Sequence, residues 1–149
     1  MHRRAFVSLA LGALGLAGPV RAETSASEKE TKMTRIRVIL PDTTLTATLD
    51  DTAAGRDFAA LLPLDLTLGD YHGIEKISDL PRKLDTTGAP RAYKPETGDI
   101  TLYAPWGNLA IFLKPFSSSA GLVRLGAFEG PITALQRSGG LPARFERID

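Results

Sequence analysis

The stretch GDITLYAPWGNLAIFLKPF, residues 98–116, decides the fold. Ile100, Leu102 and Ala104 alternate with Thr101 and Tyr103, and Leu109, Ile111 and Leu113 alternate with Ala110 and Phe112. Period two is the pattern of a strand. Between the arms, Pro105-Trp106-Gly107-Asn108 supplies a proline that sets φ and a glycine that accepts positive φ, so the two strands form a hairpin. The second arm is apolar on both faces. In an antiparallel protein this places it at the centre of a wall covered on both sides, as in a closed barrel or a sandwich.

The segments around this hairpin agree. Ile36, Val38 and Leu40 alternate with Arg35, Arg37 and Ile39; after Pro41-Asp42-Thr43, Leu45, Ala47 and Leu49 alternate with threonines. Thr52 or Asp51 then offers an N-cap, and Ala54, Phe58, Leu61 and Leu62 form one stripe of a short helix that Pro63 ends. Gly55 weakens that helix by up to about 1 kcal/mol, so packing of Phe58 has to hold it. Leu64, Leu66 and Leu68 resume period two, and residues 69–73 (GDYHG) are expected to turn. Residues 75–97 carry Pro81, Pro90 and Pro95 and predict a surface loop with one short strand. GLVRLGAF, residues 121–128, is a strand with Gly126 as a bend or bulge. Pro131 opens one or two helical turns that Gly139-Gly140 stop, and residues 144–148 close the chain in alternating polarity. The expected fold class is therefore all-β: a closed antiparallel barrel of about eight strands, with one or two short helices plugging or capping an end.

Residues 1–22 stand apart. A basic head (Arg3, Arg4), an uncharged run from Ala5 to Ala17 and a small-residue site ending at Ala22 have the layout of a secretory signal peptide, too short to cross a bilayer as a helix. The paired arginines resemble a bacterial twin-arginine export signal. Residues 23–33 are polar and aperiodic and read as a flexible leader, leaving a domain of residues 34–149 in the periplasm or outside the cell. The whole chain has 18 Lys+Arg against 17 Asp+Glu. Arg3, Arg4 and Arg21 leave with the signal and no acid does, so 15 face 17 in what remains. No nucleic-acid partner and no lasting membrane insertion follow from that balance. Cysteine is absent, so no disulfide staples the domain, and an ordinary apolar core has to hold it.

Taken in order, TRIRVIL, TAAGRDFAALLPLDLTLGDYHGIEKISDLP, TGDITLYAPWGNLAIFLKPFS and VRLGAF resemble the bacterial cyclophilin-like domain family. The resemblance spans residues 34–149 and implies the cyclophilin barrel. It would also imply peptidyl-prolyl isomerisation if the working residues of cyclophilins were present. The catalytic arginine of cyclophilins follows a Phe-His pair, and no Phe-His-Arg occurs here; the only glutamine is Gln136.

Other chemistry is thinly supplied. Beyond the leader His72 is the only histidine, there is no Gly-x-Ser-x-Gly elbow, and one histidine with scattered carboxylates makes neither a triad nor a metal site. No phosphate-cradling or dinucleotide loop is present, and no cofactor is expected. The candidate ligand-binding residues are Tyr71, Glu75, Tyr103, Phe112 and Arg124, aromatic and charged groups at strand ends beside the proline-rich loop, at the barrel mouth. Arg124, set between Val123 and Leu125, needs an acidic partner if it turns inward, a role a carboxylate ligand would fill. Glu75 and Lys76 read as solvated charges, and Trp106 as folded back onto the barrel. The expected function is a binding module, monomeric or weakly dimeric, for a small molecule or peptide; the alternatives are a divergent prolyl isomerase and a purely structural or interaction domain.

Overall fold

A computed structural model describes residues 32–149 and Gly15; the rest of the expected leader at residues 1–22 and nearly all of the spacer at 23–33 lie outside the described residues. Eight of its strands close into one antiparallel barrel. In chain order they are β1 (Thr34–Ile39), β2 (Thr44–Leu49), β3 (Leu64–Tyr71), β4 (Glu75–Asp79), β6 (Asp99–Tyr103), β7 (Asn108–Phe112), β9 (Leu122–Phe128) and β10 (Leu141–Arg147). Two short strands, β5 (Ala92–Tyr93) and β8 (Ser119–Ala120), pair with each other as a separate ribbon. Around the barrel the order is β1, β10, β3, β4, β7, β6, β9, β2, and β2 returns to β1. Closure leaves no barrel strand with an unpaired edge.

The hairpin of residues 98–116 is β6 and β7, and both faces are covered as its pattern requires. Ile100, Leu102, Leu109, Ile111 and Leu113 join the main core inside the barrel. Ala110, Phe112 and Leu122 of the opposite face form a second, smaller cluster with Ile74, Ile77, Tyr93 and Tyr103. The outer wall therefore has an apolar layer of its own.

Each end of the barrel is plugged. At one end sits the helix α1 (Ala53–Ala59), whose Thr52 hydroxyl accepts from Gly55 N–H as its N-cap. Phe58 is fully buried and meets Phe145 of β10 edge to face, centroids 5.9 Å apart. Gly55 is no weakness in this setting. A Cβ there would stand 2.1 Å from the Asp50 carbonyl oxygen, so the chain can enter the helix this closely only with glycine. The other end is closed by Ile132 and Leu135, the latter on a single 3-10 turn (Thr133–Leu135). Gly126 marks a register shift: β6 pairs Ile100 with Gly126 but Thr101 with Arg124, so β9 carries one extra residue. A Cβ on Gly126 would lie 2.1 Å from the Thr48 carbonyl oxygen of β2.

Two expectations are corrected. The strand β3 runs through Tyr71, and the turn is only His72-Gly73-Ile74, with φ of 52° and 66° at the first two and the Ile74 N–H donating to the Tyr71 carbonyl. The hairpin connection therefore has three residues, with a tight turn whose two central residues both have positive φ. The expected loop at residues 75–97 also begins with a full barrel strand. β4 pairs with β3 on one side and β7 on the other, and the prolines begin only after it, at Pro81.

Candidate functional site

On the outer wall, over β4, β7 and β6, lies a groove of about 530 Å³. This volume suits a small organic ligand. The groove lies on the outer wall of the barrel, whereas the expected position was at the barrel mouth. Tyr71 ends β3, Glu75 and Ile77 face outward from β4, Tyr103 ends β6, and Asn108 starts β7; all of them line the groove. Ser119 of the β5–β8 ribbon and Phe116 form its other bank.

The aromatic side of the groove is ordered. Trp106 is 62% exposed, so it is not folded back into the barrel as expected. It stands nearly perpendicular to Tyr71, centroids 6.0 Å apart, and to Tyr103, at 5.3 Å. Edge-to-face contacts of this kind hold rings in place while leaving ring faces free. The Trp106 backbone is fixed by the loop 104–107, where the Gly107 N–H, at φ 68°, donates to the Tyr103 carbonyl at 2.9 Å.

Asn108 is the residue that sequence reasoning missed. It is 4% exposed, and its amide nitrogen donates to the Leu109 carbonyl at 3.0 Å. Its Oδ1 is buried and has no partner. A buried acceptor left unpaired costs about 1–3 kcal/mol, so such an atom on the wall of a groove is an open hydrogen-bond position. As the residue after a Pro-Trp-Gly turn, Asn108 looks like turn chemistry in the sequence. The available signal was its place at the head of an arm apolar on both faces.

Glu75 lines the groove half-buried, and burial pushes its carboxyl above the usual carboxylate range, partly offset by the nearby His72. Its neighbour Lys76 does not pair with it, because successive strand residues point to opposite faces. Nor is Lys76 solvated as expected: it is fully buried, and its Nζ donates to Asp70 Oδ1 and to the carbonyls of Arg137 and Gly139. It ties β4 to β3 and to the segment that closes the second end of the barrel.

The structure brings Tyr71, Glu75 and Tyr103 together but separates the other two candidates. Phe112 is 2% exposed and lies under the groove, its ring stacked on Phe116 with centroids 6.3 Å apart. It supports the wall rather than lining it. Arg124 borders an adjoining cavity of about 410 Å³ with Asp50 and Tyr93. Its Nε donates to Asp50 Oδ2 at 2.8 Å and its Nη1 to Asp99 Oδ1 at 3.3 Å. Tyr93 Oη donates to Asp99 Oδ2 at 2.5 Å, which joins the β5–β8 ribbon to the barrel. Burial opposes the Arg124 charge, yet its hydrogen bonds to Tyr93 and Asp50 and the two carboxylates hold its pKa above the ordinary arginine value. The acidic partner expected from a ligand is supplied by the chain.

A family model described as the cyclophilin-like family matches residues 38–146, from near the end of β1 to the penultimate residue of β10. The chain belongs to the cyclophilin-like family. Among solved structures, this cyclophilin-like chain is similar to a hypothetical protein from Archaeoglobus fulgidus determined in solution, with a TM-score of 0.61 and 14% identity over 80% of this chain and 98% of that one. At that identity the likeness is one of fold. A comparison with curated proteins finds no significant match.

Proposed function

We propose that this cyclophilin-like domain is a binding module exported from a bacterial cell, and that a small molecule or short peptide segment seats in the outer-wall groove. The observation that carries this reading is the unpaired Asn108 Oδ1, buried on the wall of a groove flanked by Tyr71, Tyr103 and Trp106. A domain whose only task was to fold would gain stability from an apolar residue at that position. Export rests on the sequence pattern of residues 1–22, with cleavage after Ala22 and a mature chain, monomeric or weakly dimeric, beginning at Glu23. Cell fractionation with N-terminal sequencing checks it: protein found only in the cytoplasm and still starting at Met1 overturns export.

Binding is tested by amide chemical-shift mapping against a set of small aromatic and peptide fragments. Shifts confined to Tyr71, Glu75, Ile77, Asn108 and their neighbours are expected. Shifts that map elsewhere, or none for any fragment, overturn the reading. The isomerase alternative has less support. Isomerisation calls for a cationic donor at the prolyl nitrogen to lower a barrier of about 18–20 kcal/mol. Neither arginine nor lysine lines the groove, and Arg124 is held by Asp50 and Asp99. A protease-coupled assay on a proline tetrapeptide is expected to run at the rate of buffer.

A further inference from the structure

We infer that the groove selects an elongated organic cation bearing N–H or O–H donors, with its charge at Glu75 and a donor at Asn108. The inference rests on the groove being a ligand site and adds the chemistry of the ligand. Three separate features of the wall have the same sign. The Asn108 Oδ1 accepts and has no donor. The Glu75 carboxylate is half-buried, and among the described residues nothing hydrogen-bonds to it. Trp106 stands perpendicular to both tyrosines with most of its surface free, and an aromatic face attracts a cation through its quadrupole.

The protein supplies almost nothing to balance an anion here. His72 is the only lining side chain able to carry positive charge. Lys76 points through the wall and spends its ammonium on Asp70, Arg137 and Gly139. Arg124 faces the adjoining cavity and is matched by two aspartates. An anionic ligand would therefore meet a half-buried carboxylate and an unpaired carbonyl oxygen with only His72 as a counter-charge, and a cation would relieve both.

Register fixes the shape. Glu75 lies opposite Phe112, and Asp79 lies opposite Asn108, so the two acceptors are separated by four residues of β7. Four strand residues measure about 13 Å between backbones. Between them lies Ile77, opposite Ala110. A ligand that satisfies both ends has an apolar or flat middle and polar groups at its two ends. A compact ammonium ion would reach only one.

Three probes of one shape test this by calorimetry on the purified full chain: tyramine, the alcohol 4-(2-hydroxyethyl)phenol, and 3-(4-hydroxyphenyl)propanoate. All three have a phenol donor at one end, and they differ in charge at the other. Tyramine is expected to bind about tenfold more tightly than the propanoate, with the alcohol between them. In Glu75→Gln the ratio of tyramine to propanoate should fall to about threefold or less while the alcohol is unchanged. An N-acetyl-lysine amide probe runs alongside, and whichever of it and tyramine binds more tightly assigns the cation to a peptide side chain or to a free amine. Equal binding of the three phenols, a preference for the propanoate, or a preference that survives Glu75→Gln overturns the charge inference and leaves the groove a ligand site. Binding by no probe up to about 10 mM overturns both.

Discussion

Replacing Asn108 by leucine separates a residue kept for binding from one kept for folding. The two side chains have the same number of heavy atoms, and the groove side gives the extra volume of leucine room. The change removes the buried, unpaired Oδ1, which costs the free protein about 1–3 kcal/mol. It also removes the hydrogen bond from the amide nitrogen to the Leu109 carbonyl, worth about 0.5–1.5 kcal/mol. Leu109 lies in β7, which is paired on both edges, so its carbonyl keeps a ladder partner. The difference is a gain of about 1 kcal/mol, which for a domain of this size raises Tm by about 4 °C. Tyramine or any other groove ligand should lose about tenfold or more in affinity, because its donor would face a methyl group. Thermal unfolding and calorimetry on the same preparation read both numbers. A variant that loses about 1 kcal/mol or more and still binds fragments unchanged would show that the amide is structural, and the argument from its unpaired oxygen would fall.

Glu75→Gln should raise Tm at pH 7. The folded-state pKa of Glu75 is raised by burial, so the penalty for its charged form is absent below the ordinary glutamate range and grows as pH rises through the shifted value; the gain should shrink to nothing near pH 4. A gain that is the same at both pH values would contradict the burial argument. Lys76→Met leaves Asp70 hydrated but strips a donor from the Arg137 and Gly139 carbonyls, and should cost about 3 kcal/mol, or about 12 °C in Tm. An unchanged Tm would mean that the clamp contributes nothing. Gly55→Ala, favourable by about 1 kcal/mol in an open helix, should instead destabilise by about 1–3 kcal/mol, because the new Cβ would sit 2.1 Å from the Asp50 oxygen. A stabilised variant would refute the close approach.

The barrel was legible wherever inward residues were apolar. β1, β2, β6, β7 and the core of β9 all read as period-two runs, and the residue pairs assigned to opposite faces, such as Ile111 and Phe112, lie in the two separate clusters. β4 was missed for the same physical reason that makes it unusual. Its inward residues are Lys76 and Ser78 and its apolar Ile77 faces out, so the alternation in EKISD is inverted relative to the core. Only the coordinates show that Asp70 and two carbonyls make an inward lysine tolerable. The partners of Arg124 were hidden by distance along the chain: Asp50 is 74 residues away and Asp99 is 25. Tyr71, Glu75 and Tyr103 could be proposed because aromatic and acidic groups at strand ends stand out. Whether Trp106 folds inward or stands free depends on loop geometry that its neighbours in sequence do not specify.

The position of the groove follows from how the two clusters are covered. The inner face of the β6–β7 hairpin is sealed by barrel closure, with Phe58 and Leu135 fully buried in the core. The outer face is apolar as well, and an apolar outer wall in water needs a cover. The described residues provide only a partial one. The two-residue strands β5 and β8, with Tyr93 and Phe116, lie over Phe112 and Leu122, while the area around Ile77 is left between Tyr71, Trp106 and Ser119. A ribbon of two-residue strands is too short to extend across β4. Among the described residues this apolar wall is covered only in part, with an unpaired acceptor at the edge of the gap, and this is the feature on which the binding proposal rests. Shortening the cover tests this directly. Phe116→Ala should expose the Phe112 ring, enlarge the groove and lower stability by about 1 kcal/mol, while affinity for the tyramine-shaped probes changes by less than about threefold, because charge and donor positions are untouched. A tenfold loss of affinity in that variant would mean that the ribbon side, not the Glu75–Asn108 side, holds the ligand.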